Sequence, residues 1–252
     1  MKEINGYKYF NLEEVLEKFQ EFLTEKDLLN YLKGGRITGK KLAGKWHIQA
    51  NELPNLENIV IKENMHSIKE HFIDLESESF RENGRILDIG GGGEGIIGQH
   101  LGDRVVSIDN QKDEFEEAIQ NGDKNSLKII MDARDLKFLS ESFKSVVAFF
   151  SLLYISPEDL PIVFNEIHRV LEKGGLFTLW DVVIPKNSEK QKKIYAIPLK
   201  IKINGREVQT SYGTSWDKEQ NLETYEQLGK KANFQIINKV RKDKIFKITM
   251  KK

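Results

Sequence analysis

The chain has 252 residues, 39% of them hydrophobic and 31% charged, enough for one α/β domain of about 150 to 200 residues with a small additional module. Lys plus Arg and Asp plus Glu stand at 39 each, which excludes a global field favouring nucleic acid or membrane and leaves such partners to local patches. Cysteine is absent, excluding thiol nucleophiles and thiolate zinc sites; the longest apolar stretch, 146–155 interrupted by Ser151, is too short to cross a bilayer.

The opening MKEINGYKYF lacks the basic and apolar regions of a secretory leader, so the expectation is a cytoplasmic protein that meets no membrane. Behind an Asn11–Glu14 capping pair, Leu12, Val15, Leu16 and Phe19 recur at helical spacing and predict a helix over 11–19. A second helix opens at Thr24 and Asp27, runs through Leu28, Leu29 and Leu32, and stops at Gly34-Gly35. Residues 36–49 then read as two short strands around an Ala43-Gly44 turn. This is the order of a helix-turn-helix followed by a wing. The ending AGKWHI over 43–48, followed by Asn51-Glu52-Leu53, resembles the small winged helix-turn-helix domains of the excisionase and MerR-like class, over about residues 5–57. Lys33, Arg36, Lys40, Lys41 and Lys45 have no acid between them and are the candidate DNA contacts. A solvated face, dimerisation and substrate docking are the competing uses.

Residues 59–82 carry Ile59, Val60, Met65, Ile68, Phe72 and Leu75 among many charges, predicting an amphipathic helix that links a domain over 1–58 to one over 83–252. From Gly84 onward, apolar runs at 85–89, 105–108, 127–131, 145–150 and 175–183 alternate with polar helical segments and predict a parallel sheet. Within an inserted segment, 185–217, residues 193–203 and 206–216 flank Asn204-Gly205 and read as a β-hairpin. A helix over 222–232 and strands over 234–240 and 244–250 close the chain.

The run ILDIGGGGEGII over 86–97 puts Gly90, Gly91, Gly92 and Gly95 at a strand-to-helix turn, where backbone can approach a nucleotide-like ligand closely. The G-x-G-x-x-G spacing alone also suits a dinucleotide-dependent oxidoreductase, or a turn that binds nothing. Together with Asp88, the run resembles the Leu-Asp-Ile-Gly-x-Gly-x-Gly pattern of class I S-adenosylmethionine-dependent methyltransferases, with Glu94 in the place of the last glycine. Asp109, followed by Asn110, ends the second strand, where a carboxylate can meet ribose hydroxyls; an NAD enzyme places an acid there too. The resemblance implies that Asp132, in Met131-Asp132-Ala133, meets the adenine amino group; a surface aspartate is the plainer alternative. Ser151 and Tyr154 follow the fourth strand toward the same ligand edge. IHRVLEKGGLFTLWD over 167–181 resembles the family's helix, Gly-Gly turn and fifth strand.

The resemblance covers about residues 84–184, and 225–234 onward continues it. It implies a doubly wound, seven-stranded, mostly parallel sheet with the last strand inserted antiparallel, binding S-adenosylmethionine across strands one to four. The implied cofactor residues are Asp88, Gly90, Gly91, Gly92, Gly95, Asp109, Asn110, Asp132, Ala133 and Ser151.

The acceptor side is less legible. Tyr154, Asp181 at the end of strand five and His66 are candidates for catalysis; His71 and His100 are further histidines, a type more often structural than catalytic when alone. Tyr195, Tyr212 and Trp216 on the hairpin either roof an acceptor pocket or pack, and packing is expected of any one of them. Ser151-Leu-Leu-Tyr154 stands where amino-directed nucleic-acid methylases carry Asn/Asp-Pro-Pro-Tyr/Phe, which argues against that substrate. No clustered His and carboxylate spacing suggests a metal. The leading expectation is methyl transfer to a small-molecule acceptor. An S-adenosylmethionine-sensing DNA-binding regulator, a DNA- or protein-directed methyltransferase and an NAD-linked oxidoreductase are the alternatives.

Overall fold

A computed structural model describes all residues except 1, 5, 20–21, 81–83 and 189–191. The chain forms two compact units, 1–66 with 188–194, and 67–187 with 195–252. No helix among the described residues is long and apolar enough to cross a membrane.

The first unit contains β1 (Lys2–Ile4), β2 (Tyr7–Asn11), α1 (Leu12–Lys18), α2 (Glu25–Lys33), β3 (Gly39–Leu42), β4 (Lys45–Gln49) and α3 (Leu53–Asn64). Reciprocal caps start both early helices. Asn11 Oδ1 accepts the Glu14 amide at 2.8 Å while the Glu14 carboxylate accepts the Asn11 amide at 2.9 Å, and Thr24 with Asp27 repeats the arrangement. The expected β3–β4 hairpin turns at Ala43-Gly44, but it is half of an antiparallel sheet of order β1-β2-β4-β3. β1 and β2 were not read from the sequence; β2 is held by pairing Phe10 opposite Ile48. Val15, Leu28, Ile48 and Leu56 are fully buried in this unit's core.

The second unit contains β7 (Ile86–Ile89), α4 (Ile96–Leu101), β8 (Val105–Asp109), α5 (Lys112–Asn121), β9 (Leu127–Ile130), β10 (Phe143–Phe149), α6 (Leu160–Val170), β11 (Leu171–Val182), β12 (Ile194–Ile203), β13 (Arg206–Ser215), α7 (Leu222–Lys231), β14 (Gln235–Lys242) and β15 (Ile245–Lys251). The seven-stranded sheet has the order β14-β15-β11-β10-β7-β8-β9. β9, β8, β7, β10 and β11 pair in parallel, while β15 lies antiparallel to both β11 and β14. The sheet is therefore mixed, with β15 alone reversed. The chain moves outward from β7 to β9 and then returns to β10 on the other side, so β7 and β10 flank the switch point where such sheets bind ligands.

Period-two burial sends neighbouring residues to opposite faces. Leu87 and Ile89 meet Phe164 and Ile167 of α6 and Tyr225 of α7 on one face. Ile86, Val147 and Phe149 meet Ile96 and Ile97 of α4 on the other, together with Ile197, Leu199, Ile201 and Ile203 of β12. Those four hairpin residues are fully buried, each contributing about 1.5–3 kcal/mol relative to exposure. The inserted hairpin is thus a covering layer of the core. Its Asn204-Gly205 turn has φ of 49° and 75°, the mirror-image geometry that matches strand twist.

The helix expected over 59–82 is corrected. α3 ends at Asn64, and β5 (Met65–Ser67) and β6 (His71–Asp74) follow. In β6, His71 and Ile73 are buried and Phe72 is exposed, the alternation of a strand, and β6 pairs in parallel with β12 from Leu199 opposite His71. Pairing to the inserted hairpin overrides apolar spacing that also fits a helix. Residues 81–82 of the expected linker and 189–191 of the inserted segment lie outside the described residues.

Candidate active site

The turn from β7 into α4 is pinned by its own backbone: the Gly90 and Gly91 amides donate to the Ile108 carbonyl at 2.8 and 3.0 Å. Gly90 adopts φ +70°, and a Cβ there would come within 2.5 Å of Ser151 Cβ. A Cβ at Gly92 would come within 2.5 Å of Glu114 Cβ and 2.9 Å of Asp109 Oδ2. Both positions demand glycine because the loop is pressed against the ends of β8 and β10. Ser151 Oγ donates to the Ile89 carbonyl at 2.5 Å and ties β10 to this loop.

Around these strand ends lies a cleft of about 730 Å³. Of the sequence-derived cofactor residues, Gly90, Gly92, Asp109, Asn110, Asp132, Ala133 and Ser151 line it, as does Tyr154. Asp109 accepts the Gln111 amide at 3.0 Å, and burial raises its carboxyl above the ordinary range. Asp132 is gripped by Arg134, with N···O distances of 2.6–3.1 Å, and those bonds lower its pKa. Arg134 also donates to Asp159 at 2.9 Å.

Asp88, Gly91 and Gly95 are not lining residues; they sit beneath the loop. A Cβ at Gly91 would stand 2.5 Å from Asp88 Oδ2, and one at Gly95 would stand 2.9 Å from both Ala118 and Asp123. Burial first, then the charges of Asp123 and Asp109, push the Asp88 carboxyl up to about 8.

Two candidates for catalysis are not among the residues that line the cleft. Asp181 is fully buried away from the cleft, accepting from the Val182 amide at 2.7 Å, Gln220 Nε2 at 2.9 Å and the Tyr225 hydroxyl at 2.9 Å. Burial nevertheless outweighs these donors and pushes its pKa up to about 7. A strand-end position suggested access, but α7 and the Gln220 segment cover it. His66 belongs to the first unit, outside the residues that line the cleft. Of the other histidines, His71 is buried, and His100 places Nδ1 3.1 Å from Asn204 Oδ1 at the hairpin turn.

The hairpin supplies Thr210, Ser211 and Gly213, which the sequence reading missed, beside its roof candidate Tyr212. Thr210, Ser211, Tyr212 and Gly213 of β13 line the cleft. Tyr212 lies flat on Phe150, ring centroids 5.5 Å apart and 11° from parallel. Thr210 Oγ1 donates to Glu94 at 2.9 Å, and the Tyr154 hydroxyl accepts the Gly213 amide. Tyr195 and Trp216 instead pack on each other at 5.2 Å and are buried. The alternating pattern of β13 was the available signal, though it did not say which face meets a ligand. In the first unit, Lys33, Arg36, Lys40, Lys41 and Lys45 are all exposed. Arg36 stacks on Tyr31 at 4.6 Å and pairs with Glu63, and Lys41 lies 5.3 Å from the Trp46 ring centroid.

Residues 87–179 match the family model of a methyltransferase domain. No curated protein matches the chain. Among solved structures, an S-adenosylmethionine-dependent methyltransferase of Methanosarcina mazei is 18% identical with a TM-score of 0.51, over 69% of this chain and 94% of its own. Another, of Mesorhizobium loti, is 15% identical with a TM-score of 0.46, over 67% and 90%. At such identities the first likeness shows the fold. The matched segment runs from β7 into β11 and contains the glycine loop, so over that segment the chain is similar to a methyltransferase domain, and S-adenosylmethionine is the cofactor expected of such a domain.

Proposed function

We propose that this protein transfers a methyl group from S-adenosylmethionine to a small-molecule acceptor bound in the cleft. The observation that carries the proposal is the glycine cradle at the switch point, which a Cβ at Gly90 or Gly92 would fill and which Asp109 borders. Gly90 and Gly92 would admit the cofactor close to the backbone, Asp109 and Asn110 would meet ribose hydroxyls, and Asp132 with Ala133 would meet the base. When bound, the cofactor supplies an electrophilic methyl group on a sulfonium.

The cleft's 730 Å³ falls within the roughly 300–1,000 Å³ of small-ligand pockets. Phe150, Tyr212 and the Thr210–Glu94 bond wall its hairpin side and exclude water from the acceptor. Holding donor and nucleophile in line can supply about 7–11 kcal/mol of the barrier, so positioning by these groups suffices without a dedicated base. Tyr154 is the polar group that orients the acceptor.

Calorimetric titration of S-adenosylmethionine and, separately, NAD into the protein and into Asp109→Ala tests the reading. Saturable binding of S-adenosylmethionine alone, weakened by the substitution, supports it. Binding of NAD in its place reassigns the cleft to hydride transfer, and no binding to folded protein removes the proposal.

A further inference from the structure

The cleft is lopsided in charge. Among the described lining residues, Asp109 and Asp132 on the cofactor side and Glu94, Glu114, Glu117 and Asp159 beyond them face one guanidinium, Arg134. That guanidinium already bonds Asp132 at 2.6 Å and Asp159 at 2.9 Å, so an incoming anion would have to break these bonds to reach it. The crowding registers in Glu114, whose carboxyl is raised by burial and then by the charge of Asp109. Lys218 donates its ammonium to the Ile155 carbonyl at 2.9 Å and is not part of the lining.

The roof end adds ring surface. Tyr212 and Phe150 are stacked there, Tyr154 is 55% exposed, and Glu94 is held at the same strand by Thr210 at 2.9 Å, all lining one cleft. Carboxylates beside aromatic faces attract cations and repel anions. The cofactor's own sulfonium accounts for some negative lining, but Asp109 and Asp132 already serve the cofactor side and Asp159 is bonded by Arg134; Glu94, Glu114 and Glu117 remain.

Building on the methyltransferase reading, we propose that the acceptor binds as a cation, a compound whose protonated amine sits between the Glu94 carboxylate and the rings of Tyr154 and Tyr212. Phosphate- and carboxylate-bearing acceptors are rejected by the same wall.

The test titrates the protein, saturated with S-adenosylhomocysteine, with three matched probes: phenethylamine, 2-phenylethanol and 3-phenylpropionate. The amine is expected to bind about tenfold tighter than the alcohol, and the carboxylate most weakly. That advantage should shrink between about 50 and about 500 mM salt and in Glu94→Gln. The alcohol or the carboxylate binding as tightly as the amine, a preference untouched by Glu94→Gln, or no binding of the amine overturns the proposal. A parallel titration with S-adenosylmethionine separates the two readings. If the cofactor fails to bind, the methyltransferase assignment fails; if it binds and the probes rank otherwise, only the cationic acceptor is lost.

Discussion

The two sides of the cleft are built by different means. The cofactor side is made at the ends of β7, β8 and β9 by a glycine loop and strand-end carboxylates, all within a continuous run of motifs. The side proposed for the acceptor is walled by β13, which arrives from an insertion and is fixed by contacts such as Thr210 to Glu94, 116 residues apart in the chain. Backbone geometry writes itself into sequence as glycine, whereas a wall of ordinary side chains leaves no such mark. The first side is therefore legible in the sequence, and the second shows its chemistry only once folded.

The sharpest break in that contrast is Gly90→Val. A side chain forced to φ +70° and against Ser151 is expected to cost about 3 kcal/mol or more through strain and overpacking, abolishing cofactor binding by calorimetry while circular dichroism shows whether the fold survives. Asp109→Ala should weaken S-adenosylmethionine by about 1.5–3 kcal/mol, the worth of hydrogen bonds to a charged group. An unchanged affinity would move the ribose site elsewhere.

A pH titration of stability separates structural acids from site acids. Asp181 is raised in the folded state to about 7, above its unfolded value of about 3.9. Folded protein then binds the extra proton between those values, so stability is greatest below about pH 4 for this group and declines as pH rises through about 7, by at most about 1.4 kcal/mol per pH unit. Asp181→Asn should flatten that decline in thermal melts, since a neutral amide can still accept from Val182 and Gln220. Asp88, raised to about 8, contributes in the same direction. The smallest effect is expected from Thr210→Val, which removes the hydroxyl that holds Glu94. It should raise the acceptor KM by about 0.5–1.5 kcal/mol equivalent and leave cofactor affinity unchanged, a split that would locate Thr210 on the acceptor side.

Legibility followed the range of the interactions involved. Both helix caps, the Asn204-Gly205 turn, the five parallel strands and Asp109 at the cleft follow from neighbours in the chain. The segment after Asn64 did not, because β6 exists only through its pairing with β12, and an apolar spacing that suits a helix also suits a strand once a partner is present. Asp181 misled for the same reason: strand-end position is local, but its burial under Gln220 and Tyr225 is not.

By itself the sequence determined the α/β unit and its strand-end glycines and acids, since these rest on backbone conformation and short-range periodicity, while the expected cofactor comes from the family resemblance those motifs carry. Only the tertiary structure decided that Asp88 and Gly95 support the loop from below, that Arg134 is consumed by Asp132 and Asp159, and that an inserted hairpin both covers the core and walls an acidic, aromatic side of the cleft. Those outcomes depend on which distant surfaces meet, and burial, charge neighbourhood and strand pairing are properties of the packed chain rather than of any stretch of it.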